Sequence, residues 1–132
     1  MSNGCIICGQ DNPIGLKMRF ANAEDGVRCE FAVPPAFQGF DGVTHGGTVG
    51  AILDDAMWWA IYRTRGVATM TAEMKVRYHA PVPVETDLLV TARVDSHRGR
   101  LHRTSATICR NEEGGGAPLA EAEGAYLSPP VE

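Results

Sequence analysis

The longest regular signal in the chain is a helical one. Val49, Ile52, Leu53, Ala56, Ala60 and Ile61 recur at i, i+3, i+4 and i+7 spacing, which predicts one helix over residues 46–64. Thr44 is the expected N-cap and Gly66 the expected stop. Alternation dominates elsewhere. Residues 16–22 read as a strand, Glu24-Asp25-Gly26 as a hairpin turn, and residues 27–33 as the partner strand ended by Pro34-Pro35. Residues 36–44 read as a loop. After the helix, residues 68–78 set Met70, Ala72, Met74, Val76 and Tyr78 on one face, with Thr69, Thr71, Glu73, Lys75 and Arg77 on the other. Further strands are expected at 84–95, 100–110 and 118–127, with a turn at Ser96-His97-Arg98-Gly99 and a glycine-rich loop from Asn111 to Gly116. Ala120, Ala122, Gly124 and Tyr126 share a face whose small residues admit a helix closely.

Two strands, a long helix and four strands predict an α+β chain with an antiparallel sheet. One helix covers only one face, and the sheet leaves edges that need pairing, so the pattern also predicts association of copies. The 132 residues suit a single domain, 1–132, whose first fifteen residues are irregular.

Composition narrows the function. An apolar share of 44% and a charged share of 21% are those of an ordinary globular chain. No apolar run approaches the roughly 20 residues of a membrane span, and Met1-Ser2-Asn3-Gly4 lacks the features of a signal peptide. A cytoplasmic protein with no membrane partner is therefore expected. The net charge of −4 argues against nucleic acid as a partner. The basic side chains are 10 Arg and 2 Lys, and Arg93, Arg98, Arg100, Arg103 and Arg110 fall in one short stretch with His97 and His102. They read as solvated strand and turn positions or as a site for a phosphorylated ligand.

Two features carry candidate chemistry. Cys5-Ile-Ile-Cys8 has the spacing of half a zinc site, but no second CxxC exists. Plain thiols, a shared metal and a redox pair all remain open. The second feature is Gly42-Val43-Thr44-His45-Gly46-Gly47-Thr48-Val49-Gly50-Ala51-Ile52-Leu53-Asp54-Asp55. Two glycines open the helix where free N–H groups and the positive dipole end meet, a place suited to an anion or a developing oxyanion. Asp54 and Asp55 follow two turns on, and a carboxylate in an apolar helix either meets water or has a task. The bland alternative is that the glycines allow tight packing and the aspartates are surface residues. Periodicity does not choose between the two aspartates.

This segment resembles the motif of PaaI-like hotdog thioesterases, in which HGG is followed nine residues after the His by an acid, here Asp54. The opening Cys5-x-x-Cys8-Gly9, then Asn12-Pro13-x-Gly15-Leu16, and Phe37-Gln38-Gly39-Phe40 are similar to one bacterial subgroup of that family. The resemblance implies a hotdog fold, a sheet of five to six strands wrapped round one long helix. It implies hydrolysis of an acyl-CoA to the acid and CoA at a subunit interface, without metal or organic cofactor, in a homodimer or homotetramer. Asp54 would be general base or nucleophile, and the Gly46 N–H would polarise the thioester carbonyl. Gly47 would allow close approach, and His45 would order the loop. Thr71, supplied by the partner subunit, would hold the water. Many relatives carry an Asn before the HGG; Gln38 stands nearest that place. Asp55 is expected to be structural, pairing with an Arg. Of Trp58 and Trp59, one is expected in the core and the other in a dimer interface, or one, Trp58, at the acyl pocket, favouring a short or aromatic acyl group. Arg77 and Arg100 are candidates for the CoA phosphates. A hotdog hydratase or dehydratase and a non-catalytic acyl-CoA binder are the alternatives.

Overall fold

In the computed structural model, which describes residues 1–130, a single long helix is wrapped by one antiparallel sheet. Strands β1 (Ala21–Ala23) and β2 (Gly26–Phe31) precede helix α1 (Gly46–Arg65). Strands β3 (Met70–Tyr78), β4 (Leu88–Arg98), β5 (Leu101–Arg110) and β6 (Ala120–Leu127) follow it. The spatial order is β1-β2-β4-β5-β6-β3, so β3 crosses to the far edge. This is the hotdog arrangement that the resemblance implies, with six strands.

The helix stripe falls where the period places it. Val49, Ile52, Leu53, Ala56, Ala60 and Ile61 are each at most 1% exposed, packed against the inner face of the sheet. The sheet contributes Leu88, Val90, Ile108, Ala120, Ala122 and Tyr126. On β6 the small face is needed: a Cβ at Gly124 would stand 3.2 Å from the sulfur of Met57 and 2.5 Å from the ring of Tyr126. The stop at Gly66 is also as expected, with φ 71° and its N–H on the Tyr62 carbonyl.

Several boundaries differ. Of the expected 16–22 strand only Ala21 and Asn22 are in the sheet, in a short strand that ends at Ala23. Lys17 takes a left-handed φ of 55°, and the backbone around it bonds the N-terminal segment instead, Leu16 N to Ile6 O and Met18 N to Ile7 O. The strand expected at 84–95 starts at Leu88. The reason is local: Glu85 has φ 51° and gives its N–H to Val33 O rather than to a ladder. The turn expected at 96–99 is tighter, because a register shift between Val94 and Ser96 carries β4 on to Arg98. The N-cap is His45, not Thr44: its Nδ1 accepts from the Gly47 N–H at 2.9 Å.

One irregularity positions the site. The strict alternation expected along β3 fails at a bulge between Thr71 and Glu73. Thr71 pairs with Tyr126 and Met74 with Gly124, and both β6 residues face inward. Directly opposed residues share a face, so Thr71 lies on the same inner face as Met74 and Val76 rather than opposite them.

Candidate active site

Asp54 is half-buried on the third turn of α1, where it meets two hydroxyls. Its Oδ1 accepts from Tyr126 at 2.6 Å and from Thr71 Oγ1 at 2.8 Å. The same phenol lies 3.1 Å from the Asp54 carbonyl. Two donors on one oxygen fix the carboxylate's orientation. The other oxygen takes no hydrogen bond among the described residues. Tyr126 is fully buried, and burial first, then the bond to Asp54, holds its pKa well above the ordinary phenol value. It therefore stays protonated and donates to Asp54.

Thr71 reaches Asp54 of its own chain, whereas the resemblance implied a hydroxyl from the partner. Tyr126 is missed by the sequence reading, which places it on the inner face of β6 and goes no further. The signal available was a lone large polar-tipped residue in a run of Ala and Gly.

The helix start forms a second cluster. His45, Gly46 and Gly47 are exposed. His45 N–H is tied to Phe37 O, and its Nδ1 takes the Gly47 N–H. The Tyr78 hydroxyl donates to Gly46 O at 2.7 Å. Among the described residues the Gly46 N–H has no partner, so it is free to meet a ligand. Eight residues separate Gly46 from Asp54, about 12 Å along the axis at 1.5 Å per residue. One chain alone does not bring the two onto one bond.

The remaining candidates scatter. Gln38 Oε1 is engaged with the Gly42 N–H at 3.0 Å, in the loop that leads into the helix. Trp58 is core: it is 9% exposed, donates to Thr69 O at 2.8 Å and stacks on Tyr62. It stands one turn beyond Asp54 on the same helix face. Trp59 is covered by its own chain, stacked on Phe20 with Arg63 5.0 Å over its ring. Arg77 lies on the outer face of the sheet, beside a cavity of about 660 Å³ lined with Lys75, Arg93, Glu121 and Glu123. Arg100 sits in the β4–β5 turn with Nε on Ser128 O at 2.9 Å. That turn is at the Thr71 end of the sheet, since Leu101 pairs with Leu127 and Leu127 with Met70. Asp55 is buried at 7% exposure but pairs with no Arg among the described residues. It turns instead to the N-terminal segment, where Cys5 Sγ is 3.5 Å from its Oδ1. Burial raises its pKa.

Residues 41–117 match the thioesterase superfamily profile, a span that holds HGG, Asp54 and Thr71. The chain belongs to the thioesterase superfamily. Among curated proteins, it is 31% identical over 97 residues to the acyl-coenzyme A thioesterase THEM4 of Xenopus laevis, covering 73% of this chain and 43% of that protein. It is 28% identical to THEM4 of Rattus norvegicus, covering 73% and 41%. The chain thus spans less than half the length of these curated relatives. A solved thioesterase superfamily protein superposes with a TM-score of 0.86 at 26% identity, covering 96% of this chain and 61% of that one. Zebra fish thioesterase superfamily member 2 superposes at 0.76 with 23% identity and 89% coverage of both chains. Among the described residues no helix of this superfamily member is long and apolar enough to cross a membrane.

Proposed function

We propose that this protein hydrolyses an acyl-CoA to the free acid and CoA, with Asp54 as the base. The observation that carries the reading is the state of that carboxylate: one oxygen held by Tyr126 and Thr71, the other open, on a half-buried helix turn. In the reaction the free oxygen takes a proton from water. The water oxygen bonds to the thioester carbon, and the carbonyl electron pair moves to the oxygen held by the Gly46 N–H. Collapse breaks the C–S bond, and the proton passes to the leaving thiolate. Direct attack by Asp54 through an anhydride is the variant of the same chemistry.

The roughly 12 Å between Gly46 and Asp54 requires two copies of the chain, one giving the N–H and the other the carboxylate. The β3 edge supports a dimer: it is open in the single chain, and Met70 and Tyr78 on it are 79% and 54% exposed. Arg100, at the Thr71 end, would meet a CoA phosphate. Trp58 closes the helix face beyond Asp54, which favours a short or aromatic acyl group. The active form is a homodimer that assembles further to a homotetramer.

The test is thiol release from aromatic, short-chain and long-chain acyl-CoAs by wild type and Asp54→Ala. Turnover of one class, lost in the variant, is expected. Full turnover by Asp54→Ala would overturn the mechanism. Tight binding without turnover by either protein would make the chain an acyl-CoA binder instead.

A further inference from the structure

The hydrolytic reading leaves the Cys5-x-x-Cys8 segment without a task, yet the fold gives it a defined seat. Ile7, Cys8 and Met18 of this segment join the core at 3%, 9% and 4% exposure. The turn is closed by Gly9 N–H on Cys5 O, and two further N–H groups, of Ile7 and Cys8, point at Cys5 Sγ at 3.4 and 3.5 Å. Such donors stabilise a thiolate. The third member comes from the helix. Asp55 lies about 100° round the axis from Asp54 and faces this segment. Cys5 Sγ, Cys8 Sγ and an Asp55 carboxylate oxygen lie within 4.8 Å of one another. Asp55 Oδ2 is buried with no hydrogen-bond partner among the described residues. No Lys, Arg or His forms an ion pair with it there either. A buried carboxylate whose one hydrogen bond among the described residues comes from the weak Cys5 thiol is an uncompensated group that a cation would satisfy.

We propose that Cys5, Cys8 and Asp55 bind a divalent thiophilic cation, zinc above all. The set has the right chemistry: two thiols at CxxC spacing and one carboxylate, all N-terminal or helical and fixed by packing. It has nearly the right size. A tetrahedral zinc with Zn–S near 2.3 Å sets its sulfurs about 3.8 Å apart, so atoms already within 4.8 Å need move by only about 1 Å or less. The fourth position falls to a water. Cys8 lines a cavity of about 400 Å³ between Ser2, Asn3, Trp59 and Arg63, which gives solvent an entry. Binding releases two thiol protons to solvent, and the two thiolates, the carboxylate and the dication sum to a single negative charge. The ion fastens the N-terminal segment to α1 one residue from Asp54. It holds the helix in place and does not take part in hydrolysis.

The experiment uses the full chain, reduced and stripped of metal by a chelator, then titrated with Co²⁺ without oxygen. One equivalent is expected to produce a thiolate-to-cobalt charge-transfer band that one equivalent of Zn²⁺ erases. Cys5→Ser and Cys8→Ser should abolish the band, and Cys29→Ser and Cys109→Ser should leave it. Asp55→Asn, which keeps shape and fold, should weaken binding about tenfold or more. Chelator should lower the melting temperature of zinc-loaded wild type, and lower that of Asp55→Asn by less. Reduced, folded wild type that takes up neither ion would overturn the proposal. So would binding unchanged by Asp55→Asn, or a Cys5–Cys8 disulfide that takes up no metal once reduced. Should the cysteine variants fail to fold, wild-type stoichiometry and Asp55→Asn decide. The site stands or falls independently of thioester hydrolysis.

Discussion

Asp54 shares one oxygen with two hydroxyls of different standing. Thr71 is exposed and Tyr126 fully buried. Thr71→Ala is therefore expected to leave stability near wild type and to lower kcat, measured by thiol release. Tyr126→Phe should lower kcat as well, and also cost about 1 kcal/mol of stability in a denaturant titration, because a buried hydrogen bond is lost. Asp54→Asn should lower kcat by about 10²–10⁴, the usual contribution of a positioned base. Gly46 allows a sharper test. It is the first helical residue, where proline is tolerated, and His45 before it has φ −56° and ψ 135°, a conformation that proline accepts at its neighbour. Gly46→Pro replaces the N–H with a ring carbon, and its Cβ would stand no closer than 3.8 Å to Tyr78. A folded variant with kcat reduced about 10²–10³ is expected, as for loss of one oxyanion donor.

At the scale of elements, the site depends on how α1 begins and on how β6 and β3 face it. Gly47→Ala would set a Cβ 3.1 Å from His45 Nδ1 and disturb the cap, at a cost of about 1 kcal/mol. Gly124→Ala is expected to harm stability and activity together. Its Cβ would occupy space now held by the ring of Tyr126, the residue that aims Asp54. Thermal melting and thiol release on the same preparation check the pairing of the two losses. The bulge in β3 makes the site possible: without it Thr71 would point away from the helix.

At the scale of the whole molecule, the two halves of the site test each other. Asp54→Ala and Gly46→Pro chains should each be nearly inactive alone. Mixed in equal amounts, the proposed dimer would pair unlike chains about half the time, and each such pair would have both parts intact at one of its two sites. About one quarter of wild-type activity is expected if chains exchange freely. A mixture as inactive as its parents would place the whole site in one chain. Stability carries a pH signature from β5. His102 is 4% exposed with neither ring nitrogen bonded among the described residues, and burial, then His97 and Arg65, lowers its pKa. The unfolded chain takes up that proton near pH 6.5, the native one more reluctantly, so stability falls as pH drops through that range. The melting temperature should fall between about pH 7.5 and 5.5, and less so in His102→Leu.

The helix, its stripe and its stop, the inward face of β6 and the α+β class were legible along the chain because each depends on a short-range period or a local backbone preference. The HGG-to-Asp54 spacing was legible as a resemblance, and the match over residues 41–117 bears the family out. Periodicity left Asp54 and Asp55 equivalent, since both flank the apolar stripe. Tertiary contacts separate them: Tyr126 and Thr71 come to one, the N-terminal cysteines to the other. These partners lie 72, 17 and 50 residues away in sequence, beyond the reach of any local pattern. The alternation rule placed Thr71 on the wrong face, because a bulge leaves no periodic trace. Sequence alone set which elements form. Which side chains meet on them was decided by register, bulge and packing, because those depend on contacts between distant segments.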